Sequence, residues 1–344
     1  MAIENWNAAI AFGIQTAYGT VNATTRDLSG TLDETDGLVL GDRESGDGKS
    51  GITMPTIARN VRENADVPGT FINQASAFQH TEVNNLSFSW HLKGNGVASA
   101  STTGLAIPDP GIDALLLASG LVSANGTSPK KNYWPRTDAK YVTIKLFEDT
   151  IAWVFQDCIV ESLVISGSGG EVVLCTANIR VGGLNSVNAL AFPTVTYGNQ
   201  STLSAPSLTN AAFNYGSSRD LQNFTVTIAN SIIEIPSANS TTGIRLSQDS
   251  RRISVSALTE LYSSDPDFDY TRLTSTVANV ADMSFRVGSI AATGEAMNGA
   301  IFGLRNLEVD SISGGRAGDV RSQQIEAHCT SVSAASAEFQ LQFD

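Results

Sequence analysis

The sequence predicts a mainly β fold with short helices, arranged as two tandem β-sandwich or open-barrel units, each with one flanking helix. Three observations predict it. Ser, Thr, Asn, Gly, Ala and Val dominate and only 16% of residues are charged, which suits short strands and frequent turns; long solvated helices would need more Lys, Glu and Arg. Clean two-residue alternation marks strands, as in Leu86-Ser-Phe88-Ser-Trp90-His-Leu92 and Ile253-Ser-Val255-Ser-Ala257. The same order of elements occurs twice along the chain, and internal repetition of this kind bounds the architecture before any single element does.

The repeat is anchored on two expected helix starts. Asp109-Pro110-Gly-Ile112-Asp113 leads to Leu117, and Asp265-Pro266-Asp-Phe268-Asp269 leads to Leu273, at an offset of 156. Asp at the cap, Pro at the first helical position and an acid in the first turn each favour a helix start, through side-chain capping, a preset φ and charge against the dipole. After each helix comes an alternating strand, Tyr141 to Phe147 and then Met283 to Val287. A glycine-turned hairpin follows, Cys158 to Leu174 and then Leu304 to Val320. Glu161 aligns with Glu308, Ile165 with Ile312 and Gly167 with Gly314, at an offset of 147. Closing strands are Thr176 to Val181 and Gln323 to Ala327. The offset falls because the first copy carries a longer segment, Val122 to Lys140, whose Pro, Gly and Asn content reads as an inserted loop.

The expected division is an N-terminal arm over 1–30, a first β unit over 31–190 containing the insertion 122–140, a linker over 191–214 and a second β unit over 215–344. The linker is where Pro193, Gly198, Pro206 and Asn210 cluster. With 344 residues and 42% hydrophobic content, the chain can bury a sizeable core as one large domain or two ordinary ones. The N-terminal segment has no basic stretch followed by an apolar core, and no apolar run reaches membrane-spanning length, so synthesis in the cytosol and no membrane association are expected.

The net charge of −13 and a pI near 4.6 argue against tight nucleic-acid binding, which needs Lys and Arg to release counterions from phosphates. A negative protein still suits a channel that DNA must cross without sticking. Cys158, Cys175 and Cys329 are too few and odd in number for a disulfide framework and are expected as buried thiols.

Candidate chemical motifs fail on their own requirements, so no catalytic, cofactor or metal site and no enzymatic activity is expected. Arg43-Glu-Ser-Gly46-Asp-Gly48-Lys49-Ser50 imitates a phosphate loop, but Arg43 stands where the first Gly belongs and Pro55 interrupts the helix that should follow. Asp265, Asp267 and Asp269 have calcium-loop spacing, yet Tyr270 replaces the turn glycine and Thr276 the bidentate Glu. Among His80, His91 and His328, only His328 has a Cys beside it, Cys329, and neighbours on a strand face opposite ways.

One segment carries a resemblance. Gly13-Ile14-Gln15-Thr16-Ala17-Tyr18-Gly19-Thr20 resembles the opening of many tail tube proteins of long-tailed bacteriophages, with Gln15 where that family often has Glu. The order of strand, Asp-initiated helix, strand and Gly-rich hairpin is also similar to the tail tube fold. The resemblance implies two tail-tube-like domains in a structural virion protein located in the tail. Its partners would be further copies of itself, in trimeric pseudo-hexameric rings or alternatively hexameric rings stacked into a tube. Tail terminator, tape-measure and baseplate proteins would follow as neighbours, and double-stranded DNA would pass through without specific binding. The arm 1–30, the loop near Gly41–Gly51 and the insertion Val122–Lys140 are expected to order on assembly. Alternatives are another virion protein, such as a terminator or decoration protein, or a carbohydrate-binding adhesin module. The adhesin reading wants an exposed aromatic platform, whereas Trp90, Trp134 and Trp153 form no cluster in sequence and Trp153 lies in an apolar strand.

Overall fold

A computed structural model of the chain describes residues 8–21, 38–39, 52–53, 57–63, 76–83, 85–92, 110–125, 131–135, 137–148, 150–189, 208, 213–237, 244–260, 273, 281–288, 299–317, 320–330 and 339–343. The protein is mainly β and is dominated by one large antiparallel sheet.

The first part of the chain supplies β1 (Ala8–Ile14), β2 (Leu38–Val39), β3 (Ile52–Thr53), β4 (Ile57–Glu63), β5 (Ser76–Val83) and β6 (Leu86–His91). Helix α1 (Pro110–Ala118) follows, then β7 (Leu121–Asn125), β8 (Lys131–Pro135), β9 (Val142–Glu148), β10 (Ile151–Ser168), β11 (Leu174–Arg180) and β12 (Gly183–Ala189). The remainder supplies β13 (Phe213–Tyr215), β14 (Ser217–Arg219), β15 (Leu221–Pro236), β16 (Ile244–Glu260), β17 (Ala281–Val287), β18 (Ala300–Ala317), β19 (Val320–Cys329) and β20 (Phe339–Phe343).

Two long strands organise the fold, and each serves two different sets of neighbours. The first half of β10 lies between β9 and β12, while its second half lies between β11 and β15. The first half of β18 lies between β17 and β20, while its second half pairs with β19. The change of neighbours falls at the same place in both. Pairing skips from Phe155 to Cys158 against β9, and from Leu304 to Leu307 against β17. Within these skips sit Asp157 (φ 53°) and Asn306 (φ 54°), the non-glycine residues with positive φ among those described. Asp and Asn tolerate the left-handed conformation better than other residues with a Cβ, and such a bulge re-aims the strand. A second bulge follows in each, at Glu161 against β11 and at Asp310 against β19.

The rest of the ladder recurs in the same way. β6 pairs β11 as β16 pairs β19. β1 pairs β9 as β13 pairs β17. Ile52 opposite Phe88 and Ile57 opposite Val83 occupy the places of Phe224 opposite Ala257 and Ala229 opposite Arg252. Thus β3 with β4 corresponds to β15 at one constant offset of 172, and β5 with β6 corresponds to β16 at 169. β10 and β18 correspond at 149, which corrects the expected 147: Glu161 matches Asp310, not Glu308.

The core fills the inward positions of these strands. In β15 the buried residues are Phe224, Val226, Ile228 and Asn230, and in β16 Ile253, Val255, Ala257 and Thr259. Phe285 stacks on Phe302 at 4.7 Å and meets Phe224 at 4.6 Å between ring centroids. Gly167 lies opposite Phe224, and a side chain there would press on that ring. Cys158, Cys175 and Cys329 are buried free thiols, and burial pushes the Cys158 and Cys175 thiols well above their ordinary range.

Helix α1 starts at Pro110, as the Asp-Pro signal predicts, and buries Leu115, Leu116 and Ala118. Of the second expected helix, only Leu273 is among the described residues. The expected loop 122–140 instead contains the hairpin β7–β8, with Leu121 opposite Pro135 and Asn125 opposite Lys131. Its strand character comes from the tertiary context: β8 pairs β20, Tyr133 is buried and packs edge-on to Phe343, and the Tyr133 hydroxyl donates to Asp113 of α1. The expected arm 1–30 contains β1, and the expected linker 191–214 already contains the start of β13 at Phe213. Among the described residues no helix is long and apolar enough to cross a membrane.

Candidate functional site

The two halves meet at a seam. β15 runs antiparallel to the second half of β10, from Ser162 opposite Ala229 to Ser168 opposite Asn223. A continuous run of neighbours follows: β3, β6, β11, β10, β15, β16, β19, β18. Buried side chains hold the seam from within. The Asn230 amide donates to the Val160 carbonyl at 2.8 Å, while its oxygen accepts from Arg251 Nε and Gln248 Nε2, each at 3.0 Å. Arg251 also donates to the carbonyls of Ser119 and Thr137, at 3.2 and 2.6 Å. Farther out, Tyr18 and Tyr141 donate to the carbonyls of Ile244 and Leu246, at 3.1 and 2.6 Å. Tyr18, within the opening motif singled out above, therefore fastens the N-terminal part of the chain to β16.

One face of this run is covered by the core, and the other carries many small polar side chains, with Val164, Leu174 and Leu258 among them. Along the outward face lie Ser87 and Ser89 of β6, Thr176 and Asn178 of β11, and Ser162 and Ser166 of β10. Thr225 and Thr227 of β15 and Ser254 and Ser256 of β16 continue it. They bond across strands: Ser89 with Thr176 at 2.9 Å, Asn178 Nδ2 to Ser162 Oγ at 2.9 Å, Gln324 to Ser256, and Ser311 to Glu326 at 3.0 Å. Such cross-strand rungs satisfy the polar groups of neighbouring strands. Charges on this side come in opposite-sign groups. Arg252 donates to Asp310 at 2.9 Å, His328 Nδ1 lies 2.8 Å from Asp310 and its Nε2 lies 3.7 Å from Glu308, and Arg180 pairs with Glu234. The signal for this face is in the sequence as the polar members of the alternating strands, which no chemical motif marks.

The second half of β18 has a different situation from that of β10. β19 pairs one edge of Ser311–Ala317, and among the described residues no strand pairs the other. The matching edge of β10 is the one β15 occupies.

The segment Arg43–Ser50 and the acids Asp265, Asp267 and Asp269 lie outside the described residues. His91 is partly buried on β6 opposite Leu174. His328 points outward and Cys329 inward, as alternation requires. Among the described residues no group of three or more His, Cys, Asp and Glu is placed to hold a metal ion. Trp90 is buried and Trp153 packs against the core. Comparison with protein-family models finds none that matches the chain, and a search of curated proteins finds no match either.

Proposed function

We propose that this chain is a structural subunit of a tail tube of the long-tailed bacteriophage type, with two tube-type β-modules per polypeptide. Three chains close into a pseudo-sixfold ring around a channel, and rings stack to make the tube through which DNA leaves the virion. The supporting observation is the recurrence of much of the pairing ladder, with the two copies joined edge to edge by the β10–β15 seam. A repeated body whose successive copies join through sheet edges leaves one edge over at each end, and an open edge favours addition of a further strand. Closure into a ring removes those edges and fixes the number of subunits.

The outward hydroxyl face suits a channel wall. Many of its side chains are short and bonded to one another, and Arg180 and Arg252 are each paired with an acid, so a passing phosphate backbone meets no run of cations to release its counterions. Together with a net charge of −13, this favours passage without adhesion. In this reading the chain has no catalytic role and no cofactor, is made in the host cytoplasm and ends in the virion tail. Terminator, tape-measure and baseplate proteins are its neighbours.

Negative-stain microscopy of the purified chain tests the proposal. Rings with threefold symmetry, or tubes of stacked rings, are expected as concentration rises. A protein that stays monomeric at every concentration, or that forms solid particles without a passage, would overturn it.

A further inference from the structure

Resting on that ring reading, the geometry points to specific partner strands and a register for the open edge of β18: β3 and β4 of a second copy of this chain, with Ser311 opposite Ile57 and Gly315 opposite Thr53. The molecule's own seam is the template for this register. In that seam Ser162 lies opposite Ala229 and Ser166 lies opposite Thr225. The coincident bulges and the paired residues at Asp157 and Asn306 equate Ser162 with Ser311 and Ser166 with Gly315. The ladders of β3 with β6 and of β4 with β5 independently equate Thr53 with Thr225 and Ile57 with Ala229. Carrying the seam across by these equivalences places the open edge of one copy against the outer edge of β3–β4 in the next, antiparallel as in the seam.

Two features single out this occupant. The outer edge of β3–β4 is also unpaired among the described residues, because β3 is held only by β6 and β4 only by β5. β3 and β18 are the terminal members of the run that begins at β3 and ends at β18, and β4, which pairs β5 in a two-stranded sheet of its own, follows β3 at the same offset from β15, so each edge lacks the kind of neighbour the other supplies. Register matters here because a slip of one residue would turn the hydroxyl face toward the core, while a slip of two keeps the faces and changes only the pairing.

Cysteine cross-linking of the full chain decides between these registers. Cys158, Cys175 and Cys329 are buried, so the native protein contributes little background. Chains carrying Ser311→Cys together with Ile57→Cys are assembled, mildly oxidised and run under non-reducing denaturing conditions. A ladder of covalent multimers, capped at the ring size and at least tenfold stronger than in either single variant, is expected. The pair Ser313→Cys with Ile57→Cys, displaced by two residues, is expected to remain mostly monomeric. Rings that cross-link only through the displaced pair would overturn the register while leaving the tube reading intact. Efficient dimers from Ser311→Cys alone would mean that two β18 edges pair with each other and would overturn the choice of partner. Absence of both assembly and cross-links would sink this inference and the tube reading together. Gly315→Cys with Thr53→Cys provides a second pair in case Ile57→Cys weakens folding, and is expected to give the same ladder.

Discussion

Arg251 and Asn230 lie on adjacent strands of the second half of the chain, 3.0 Å apart from Nε to Oδ1, and together they grip the first half through the carbonyls of Val160, Ser119 and Thr137. Asn230 is 3% exposed, so its amide has little access to water. Removing one partner from a buried polar cluster leaves the others without compensation, which typically costs about 1–3 kcal/mol, more when a charge is involved. Asn230→Ala is therefore expected to lower stability by about 2–3 kcal/mol in chemical unfolding. Arg251→Ala should cost a similar amount, and the double variant less than the sum. Additive effects would show that the two side chains do not act as one cluster.

Gly120 tests the same seam from the backbone. Its φ is 85°, and a methyl there would collide with the Arg251 guanidinium and the Thr137 carbonyl. Left-handed backbone alone costs a residue with a Cβ roughly 1–2 kcal/mol. Gly120→Ala is expected to lose about 2 kcal/mol or more in thermal unfolding. The loss should shrink when Arg251→Ala is added, because the shortened side chain relieves one of the two collisions.

The bulge residue Asp157 predicts a pH dependence. Burial holds its carboxyl above the usual range, while the Gly19 amide, donating to Oδ1 at 2.7 Å, acts in the opposite sense and only partly offsets it. Its folded value lies above the unfolded one, so folding favours the protonated form. That contribution is complete below the unfolded value, about pH 4, and is lost as pH rises through the folded value. Asp157→Asn keeps an acceptor for Gly19 and the tolerance for positive φ that Asn306 exhibits. It is expected to be at least as stable as the parent at pH 7 and to flatten the fall in stability as pH rises above about 4. Asp157→Ala is expected to be about 1–2 kcal/mol less stable throughout, from the backbone conformation alone.

The aromatic centre of the second half should be sensitive to truncation. Phe285 lies within 4.7 Å of the Phe302 ring and 4.6 Å of Phe224, and all three are buried. Phe285→Ala is expected to cost about 3–5 kcal/mol by calorimetry or denaturant titration. Phe285→Leu should recover much of that loss.

Thiol chemistry offers a simple check of the buried cysteines. Thiolates are the reactive form, and burial disfavours them at Cys158 and Cys175. Aromatic disulfide reagents are expected to leave both unreacted for hours in the native protein at pH 8 and to titrate all three thiols at once in denaturant.

Much of the ladder was legible because alternation exposes which residues face inward: Leu86, Phe88 and Trp90, or Ile253, Val255 and Ala257, are buried as their spacing requires. Register was not legible to the same depth. Matching Glu161 to Glu308 slips the true correspondence, Glu161 to Asp310, by two residues. A two-residue slip preserves every inward and outward assignment, so hydrophobic pattern cannot detect it. The landmarks that fix the alignment are backbone irregularities, at Asp157 and Asn306, which leave only a faint trace in composition. The hairpin β7–β8 escaped for a related reason. Its strand state rests on pairing with β20 and on the contact of Tyr133 with Asp113, neither of which is local in sequence. The unpaired edge of β18 was hidden because an edge is a property of the ladder and belongs to no motif.

The seam between β10 and β15 has an arithmetic consequence. Because in the proposed ring one peptide chain carries two modules in fixed order, any closed circle made from whole chains contains an even number of them. Miscounts of five or seven are ruled out by covalent linkage, before any energetic preference acts. In the proposed ring, half of the joints form within a single molecule, at a local concentration that does not fall on dilution, so closure of that ring depends on total protein less steeply than it would for unlinked modules.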